Sequence, residues 1–253
     1  MSECSPVVTK ITTSNSFKNA IAIPIMYALM SLNEYVTHRY YQHAEFNKNP
    51  LLQTLFFKFQ TDGGGHVEHH AETLDDMSLK TDDRWLRTPA ANKLNSDPFR
   101  GTAFTWPVTF IMFCQMLITS VPIYKNFLGF SLPATLSFTS IGLLLHTSIW
   151  NALHPSMHYL PDVPARVGPP SGWLKIFKNT WFFKFLYQNH EGHHVLGGMA
   201  NYNVCCPGAD HLFGSYVKEA DWRPKMRPVT PDRETNKSPN NVYEKYCLEA
   251  VAA

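Results

Sequence analysis

Ten of the twelve histidines in this chain fall into four short clusters. His38 and His43 bracket HRYYQH; His66, His69 and His70 form HVEHH; His154 and His158 form HPSMH; His190, His193 and His194 form HEGHH. Imidazole is a borderline donor that suits transition metals. A single histidine is ordinarily a hydrogen-bonded core or surface residue, whereas four clusters together read as a metal site. Ten imidazoles are too many for one ion but offer two ions up to five each, leaving open positions on an octahedral metal. Iron is the ion for which a nitrogen-rich, open and redox-active site makes most sense, and two irons allow oxygen activation to be shared.

The spacings carry a geometric expectation. Helical residues three and four apart share a face, so each HxxHH cluster can aim three imidazoles at one point, and His154 with His158 can aim two. His38 and His43 are five apart and sit less squarely on one face, which a bend or a wider site would absorb. Asn151, three before His154, and Glu34, four before His38, are candidates to join the ligand shell. His146 lies two turns before His154, either supporting the ligands or as a buried polar residue. His211 follows Asp210, and such a pair could orient a ligand or accept its proton.

Rival chemistries share some of these residues. His190, Glu191 and His194 match HExxH, in which two histidines bind zinc and the glutamate is the base. That reading leaves His66, His69, His70, His154 and His158 unused, and Gly192 weakens the helix the motif needs by about 1 kcal/mol relative to alanine. Carboxylate-bridged di-iron bundles need paired ExxH motifs and two further glutamates, a set the clusters do not supply. Glu68 and Glu191 read instead as outer acceptors or surface groups. A non-catalytic metal store or transporter would favour ionisable groups within spans, where His146 is the candidate.

The elements that must position these residues are apolar. Ala20 to Leu32 is a marginal span whose helical pattern extends through Tyr35 to Tyr41. Gly101 to Tyr124 and Phe127 to Trp150 are each 24 residues without a charge, and about 20 apolar residues cross a bilayer. The latter two are separated by Lys125 and Asn126, which predicts a tight hairpin. Basic residues cluster on the side of its open ends, from Lys48 through Arg100 and from Arg166 to Lys184. By the positive-inside bias the polar mass is cytosolic. Leu51 to Gln60 and Trp173 to Gln188 mix aromatics with isolated lysines and read as interfacial or groove-lining helices. Pro155 to Gly172 is a proline-rich insert, and Trp222 to Asn241 a polar tail that wraps the surface or frays. The first twenty residues lack a cleaved signal pattern.

Composition agrees. A net charge of +2 gives no nucleic-acid surface. Charged residues make up 17% of the chain, against about 25% usually. The mean hydropathy of −0.21 requires that any membrane part be paired with a large polar part. Five cysteines, an odd count without a CxxC pair or regular spacing, argue against a disulfide framework; adjacent Cys205 and Cys206 read as small buried residues in a turn. The chain reads as one domain over 1–253, with the histidine-bearing core at about 20–217 and a tail at about 218–253.

The order HX4H, HX2HH, HX3H, HX2HH resembles the fatty acid hydroxylase and sterol desaturase superfamily of integral membrane di-iron enzymes. The stretch after HEGHH, with Asn201-Tyr202-Asn203, Asp210 and Phe213-Gly214, is similar to that family's carboxy-terminal signature. The resemblance covers Ala20 to Val217. It implies an all-α membrane bundle of about 3–4 spans under a cytosolic helical cap, and an endoplasmic reticulum location if the source is eukaryotic. It implies two iron ions bound by the ten histidines and O2 as co-substrate. Electrons would come from a separate donor such as cytochrome b5 with an NAD(P)H-linked reductase. The apolar substrate, a lipid or related molecule, would enter from the membrane along the Gly101–Trp150 hairpin, past aromatics of 173–185, and be hydroxylated at an unactivated carbon. Desaturation is the alternative outcome, which Asn151 keeps open by its likeness to an asparagine near the metals of membrane desaturases. Two departures are the low span count and the insert between His158 and His190.

Overall fold

An uncharged run in lipid must satisfy its backbone internally, which favours helix. In the computed structural model, which describes residues 15–160 and 174–229, the first helix, α1, runs Asn15–Val36 and continues as a π-helical turn over Thr37–Gln42. After α2 (Pro50–Leu55), α3 (His66–Glu72), α4 (Asp83–Leu86) and α5 (Pro89–Asn95) come two long apolar helices. These are α6, Trp106–Ser120, extended by a π-helical turn over Val121–Phe127, and α7, Leu132–Met157. The short α8 (Leu174–Phe177), then α9 (Trp181–Val195), α10 (Ala209–Leu212) and α11 (Glu219–Trp222) complete the order. No β-strand occurs among the described residues, where Thr73 and Leu79 make an isolated bridge.

Three helices are long and apolar enough to cross a membrane: Ala20–Gln42, Trp106–Phe127 and Leu132–Met157. They pack on one another and turn Ile23, Phe110, Ile118, Ile141 and Leu145 outward, as side chains facing lipid would be. Apolar helices in lipid gain little from the hydrophobic effect, so close packing and hydrogen bonds must join them. Gly142 lets the Met26 side chain lie directly on α7. Tyr124 donates to the Ala22 carbonyl at 2.9 Å, Asn33 to the Met112 carbonyl at 3.2 Å and Thr37 to Gln115 Oε1 at 3.0 Å.

Three sequence boundaries shift. Lys125 and Asn126 do not form the hairpin tip; they lie within the π-helical end of α6, and the chain reverses over 128–131. Gly129 adopts φ +71°, Ser131 caps α7 by accepting from the Ala134 amide, and Pro133 occupies its first turn. The helix expected over Leu51–Gln60 ends at Leu55, after which Phe57 and Lys58 turn through left-handed conformations. Leu51, Leu55, Phe56, Phe57 and Phe59 are exposed there. The helix expected over Trp173–Gln188 is broken, because Thr180 accepts from the Phe183 amide and starts α9 afresh. Of the proline-rich insert, Pro155 is inside α7 and residues 161–173 lie outside the described residues, as do 230–253 of the tail. The described part of that tail is packed rather than loose. Trp222 is buried against Gly192, where any Cβ would overlap the indole, and Arg227 pairs with Asp75 at 2.6 Å.

Candidate metal centre

All ten clustered histidines are buried, and their ring nitrogens converge at one end of the helical bundle. They form two groups. His38, His43, His66, His70 and His193 make the first. His69, His154, His158 and His194 make the second, and His190 joins it with its Nε2 3.0 Å from that of His158 and 3.2 Å from that of His194. The groups share a wall, since His70 and His194 stack with ring centroids 4.0 Å apart.

The HxxHH clusters therefore do not aim three imidazoles at one point. Each divides two and one: His66 and His70 from His69, and His190 and His194 from His193. On α3 and α9, residues four apart differ by about 40° in direction, whereas adjacent residues differ by about 100°. The i,i+4 pair feeds one group and the remaining histidine turns to the other. His154 and His158, also i,i+4, stay together.

His38 and His43 stay together by a different device. The backbone N–H of His43 donates to the carbonyl of His38 at 3.0 Å, an i→i+5 bond. The π-helical turn thus realigns residues five apart, and their Nε2 atoms are 3.2 Å from each other.

Orientation comes from backbone carbonyls on two straps. His38 Nδ1–H donates to Tyr202 O at 2.5 Å and His193 Nδ1–H to Ala200 O at 2.5 Å. His66 Nδ1–H donates to Gly101 O at 3.2 Å and His154 Nδ1–H to Thr102 O at 2.7 Å. A carbonyl can only accept, so each of these rings carries its proton on Nδ1 and presents a bare Nε2 lone pair. The consequence is sharp at His38 and His66, whose two bare Nε2 atoms face each other at 2.9 Å. Two lone pairs at that distance repel unless a cation lies between them. The other close contacts within the groups run from 3.0 to 3.2 Å. Cis ligands on an octahedral ion, with metal–nitrogen bonds of about 2.1 Å, are about 3.0 Å apart. His154 Nε2, buried and without a hydrogen-bond partner, is aimed into the second group. The residues fit metal ions.

The straps are themselves anchored. Asn151 does not enter the ligand groups; its Oδ1 accepts from the Phe104 amide at 2.7 Å and its Nδ2 donates to the Phe104 carbonyl at 3.0 Å. Trp150 Nε1–H shares the Thr102 carbonyl at 2.8 Å. Gly101 presses on Gly65 so closely that a Cβ on it would overlap the Gly65 carbonyl. Arg100 forms a short ion pair with the buried Glu72. In the second strap, Asp210 accepts from the Tyr202 and Asn203 amides at 3.0 and 2.6 Å. Glu34 accepts from the amides of Val204, Cys205 and Cys206 and meets His146 Nε2 at 2.6 Å. Cys205 and Cys206 are buried, as a turn of small residues predicts. Glu34 and Asp210 thus act on the histidines through the strap. His211 is exposed and lies against Tyr216, with ring centroids 4.1 Å apart, so it orients no ligand.

Neither outer glutamate reaches a metal position. Glu68 pairs with Lys93 at 2.7 Å and Glu191 with Arg223 at 3.0 Å. Burial raises the Glu191 carboxyl above its usual range against the pull of Arg223. Burial, then the neighbouring imidazoles, drives His43, His66, His69, His70, His190 and His194 well below the ordinary histidine range. These rings are neutral, as ligands must be.

Sequence reasoning had no access to the strap carbonyls of Gly101, Thr102, Ala200 and Tyr202, because a backbone acceptor leaves no mark on residue type. The lone tryptophan in the polar tail, Trp222, was the available sign that the tail packs. No protein-family model, curated protein or solved structure matches this chain.

Proposed function

We propose that this chain is a membrane di-iron oxygenase that hydroxylates an unactivated carbon of a lipid or other apolar substrate. The observation that carries the reading is the paired arrangement of five buried imidazoles beside five more, with bare Nε2 atoms of His38 and His66 at 2.9 Å. Two irons bound there would supply the O2 and one-electron chemistry that side chains lack. Neutral nitrogen ligands suit iron in preference to calcium or magnesium, which take oxygen.

The chain's own residues hold the donors, keep them neutral and exclude water. Trp150, with ring centroids 5.3 Å from His38 and 4.8 Å from His154, walls both groups and stacks on Phe104. A groove between α1 and α6, lined by Leu29, Leu32, Val36 and Ile118 together with Asn33, Gln115 and Thr119, supports approach of substrate from the bilayer. Hydroxylation inserts one oxygen atom of O2 into a C–H bond and releases the other as water, consuming two electrons and two protons. A separate carrier such as cytochrome b5 with its NAD(P)H-linked reductase would deliver the electrons. The basic residues flanking the spans support a cytosolic site, in the endoplasmic reticulum if the source is eukaryotic. The HExxH protease reading loses ground because Glu191 is held by Arg223.

Metal analysis of protein purified without added metal tests the reading, together with mass spectrometry of host lipid extract incubated with protein, reductant and O2. About two irons per chain and a product heavier by one oxygen are expected, the oxygen labelled when 18O2 is used. A single zinc with peptide cleavage would overturn it.

A further inference from the structure

Outside the ten histidines, a second kind of donor set is buried where α1, α7 and the 200–210 strap meet. Glu34 and His146 are fully buried and lie within two of the candidate spans. Cys206 is buried beside them on the strap. One carboxylate oxygen, one imidazole nitrogen and the thiol sulfur of these three residues lie within 4.8 Å of one another. Ionisable groups inside a span are costly and mark function.

The Glu34 carboxylate offers about four acceptor sites. Oε1 takes the Val204 and Cys205 amides, and Oε2 takes the Cys206 amide, leaving one direction on Oε2 that points at His146 Nε2, 2.6 Å away. His146 Nδ1 is buried and without a partner. The geometry points to a third metal site here: a zinc-class divalent ion bound by Glu34 Oε2, a ring nitrogen of His146 and the thiolate of Cys206.

Charge balance supports it. Carboxylate, thiolate and a divalent cation sum to zero with a neutral imidazole, whereas an unpaired charge at this depth is expensive. The donor set also differs in softness from the all-nitrogen histidine groups, and thiolate selects zinc-class ions. With bonds of about 2.0–2.3 Å, the ion would widen the Glu34–His146 contact by several tenths of an ångström, and water would complete a tetrahedron. Such an ion would tie α1, α7 and the strap that holds His38 and His193 at one point. It is a structural site, independent of what the histidine groups do.

Cobalt provides the probe, since a thiolate ligand gives Co2+ a near-ultraviolet charge-transfer band that imidazoles do not. Full-length protein in nanodiscs, stripped with chelator and loaded with Co2+ alone, is expected to show that band and a cobalt–sulfur path in X-ray absorption. Cys206→Ser should abolish the band and remove one metal equivalent while the histidine-bound cobalt stays; Cys205→Ser and Cys114→Ser should keep it. Absence of a cobalt–sulfur path in the wild-type protein overturns the site without any variant having to fold. A band that survives Cys206→Ser also overturns it. Neither result bears on the metal at the histidines, which is read from the remaining equivalents.

Discussion

Gly101 and Thr102 are consecutive, and their two carbonyls hold His66 and His154, which belong to different histidine groups. Two consecutive peptide units therefore set the relative orientation of both halves of the centre. The accepting carbonyls leave no mark on residue type, although position 101 itself must be glycine to clear the Gly65 carbonyl; the strap must also be held still, and Asn151 does so at Phe104.

Asn151→Ala removes both bonds to Phe104 and leaves a buried amide and carbonyl unpaired. A loss of about 2–6 kcal/mol is expected, from about 1–3 kcal/mol for each of the two unsatisfied groups. Metal should be lost first from the group containing His154. Thermal unfolding in detergent, with metal analysis before and after dialysis, checks both; an unchanged metal content would remove Asn151 from the positioning of the site.

His193→Ala and His158→Ala each take one imidazole from a different group. Each should lower the proposed oxygenase activity by about 100-fold or more, since even the outer partners of metal ligands are worth about 10–100-fold. Metal content should fall toward one ion per chain in both. His211→Ala alters an exposed ring and should leave metal content and product formation unchanged, as elemental analysis and product mass spectrometry can read.

Gly192→Ala places a methyl group against the Trp222 indole. Overpacking of this kind costs about 1–3 kcal/mol, and truncation Trp222→Ala about 3–5 kcal/mol. Because the two residues touch, the double variant should be destabilised by less than the two single losses combined. Strict additivity in denaturant titrations would contradict the contact.

Burial lowers His158 and His193 from 6.5 to about 3 and about 4 respectively. The folded values lie below the unfolded one, so the unfolded chain binds these protons first. Metal-free protein should keep its full stability above about pH 6.5 and lose about 1.4 kcal/mol per histidine for each unit of pH between about 6.5 and 4. Chelator-treated protein unfolded at a series of pH values tests this; a flat profile from pH 7 to 4.5 would contradict it. Bound metal should resist the loss until protons compete for the ligands.

Much of the candidate site was legible in the sequence. Clustering and helical spacing singled out His38, His43, His66, His69, His70, His154, His158, His190, His193 and His194, and the uncharged runs marked two span-length helices and a marginal first one. Both are local properties, carried by residue type and by a period of 3.6. Cys205 and Cys206 were also readable as buried, from their size and neighbours. The limits of the helices were less legible, because Ser131 and Thr180 act through capping bonds that compete with the apolar pattern on either side.

Only the tertiary structure decided which imidazoles work together. Within HVEHH and HEGHH the sequence places three donors side by side, and the rotation of about 100° per residue sends one of them to the other group. That choice depends on where α3 and α9 lie relative to α1 and α7, which no local period encodes. The tertiary structure also decided what Glu34, Asn151, Asp210 and His211 do. The first three reach the histidines through backbone carbonyls of distant straps, and His211 faces away. Residue type sets what a side chain can bind; the packing of the straps sets the direction in which its lone pair points.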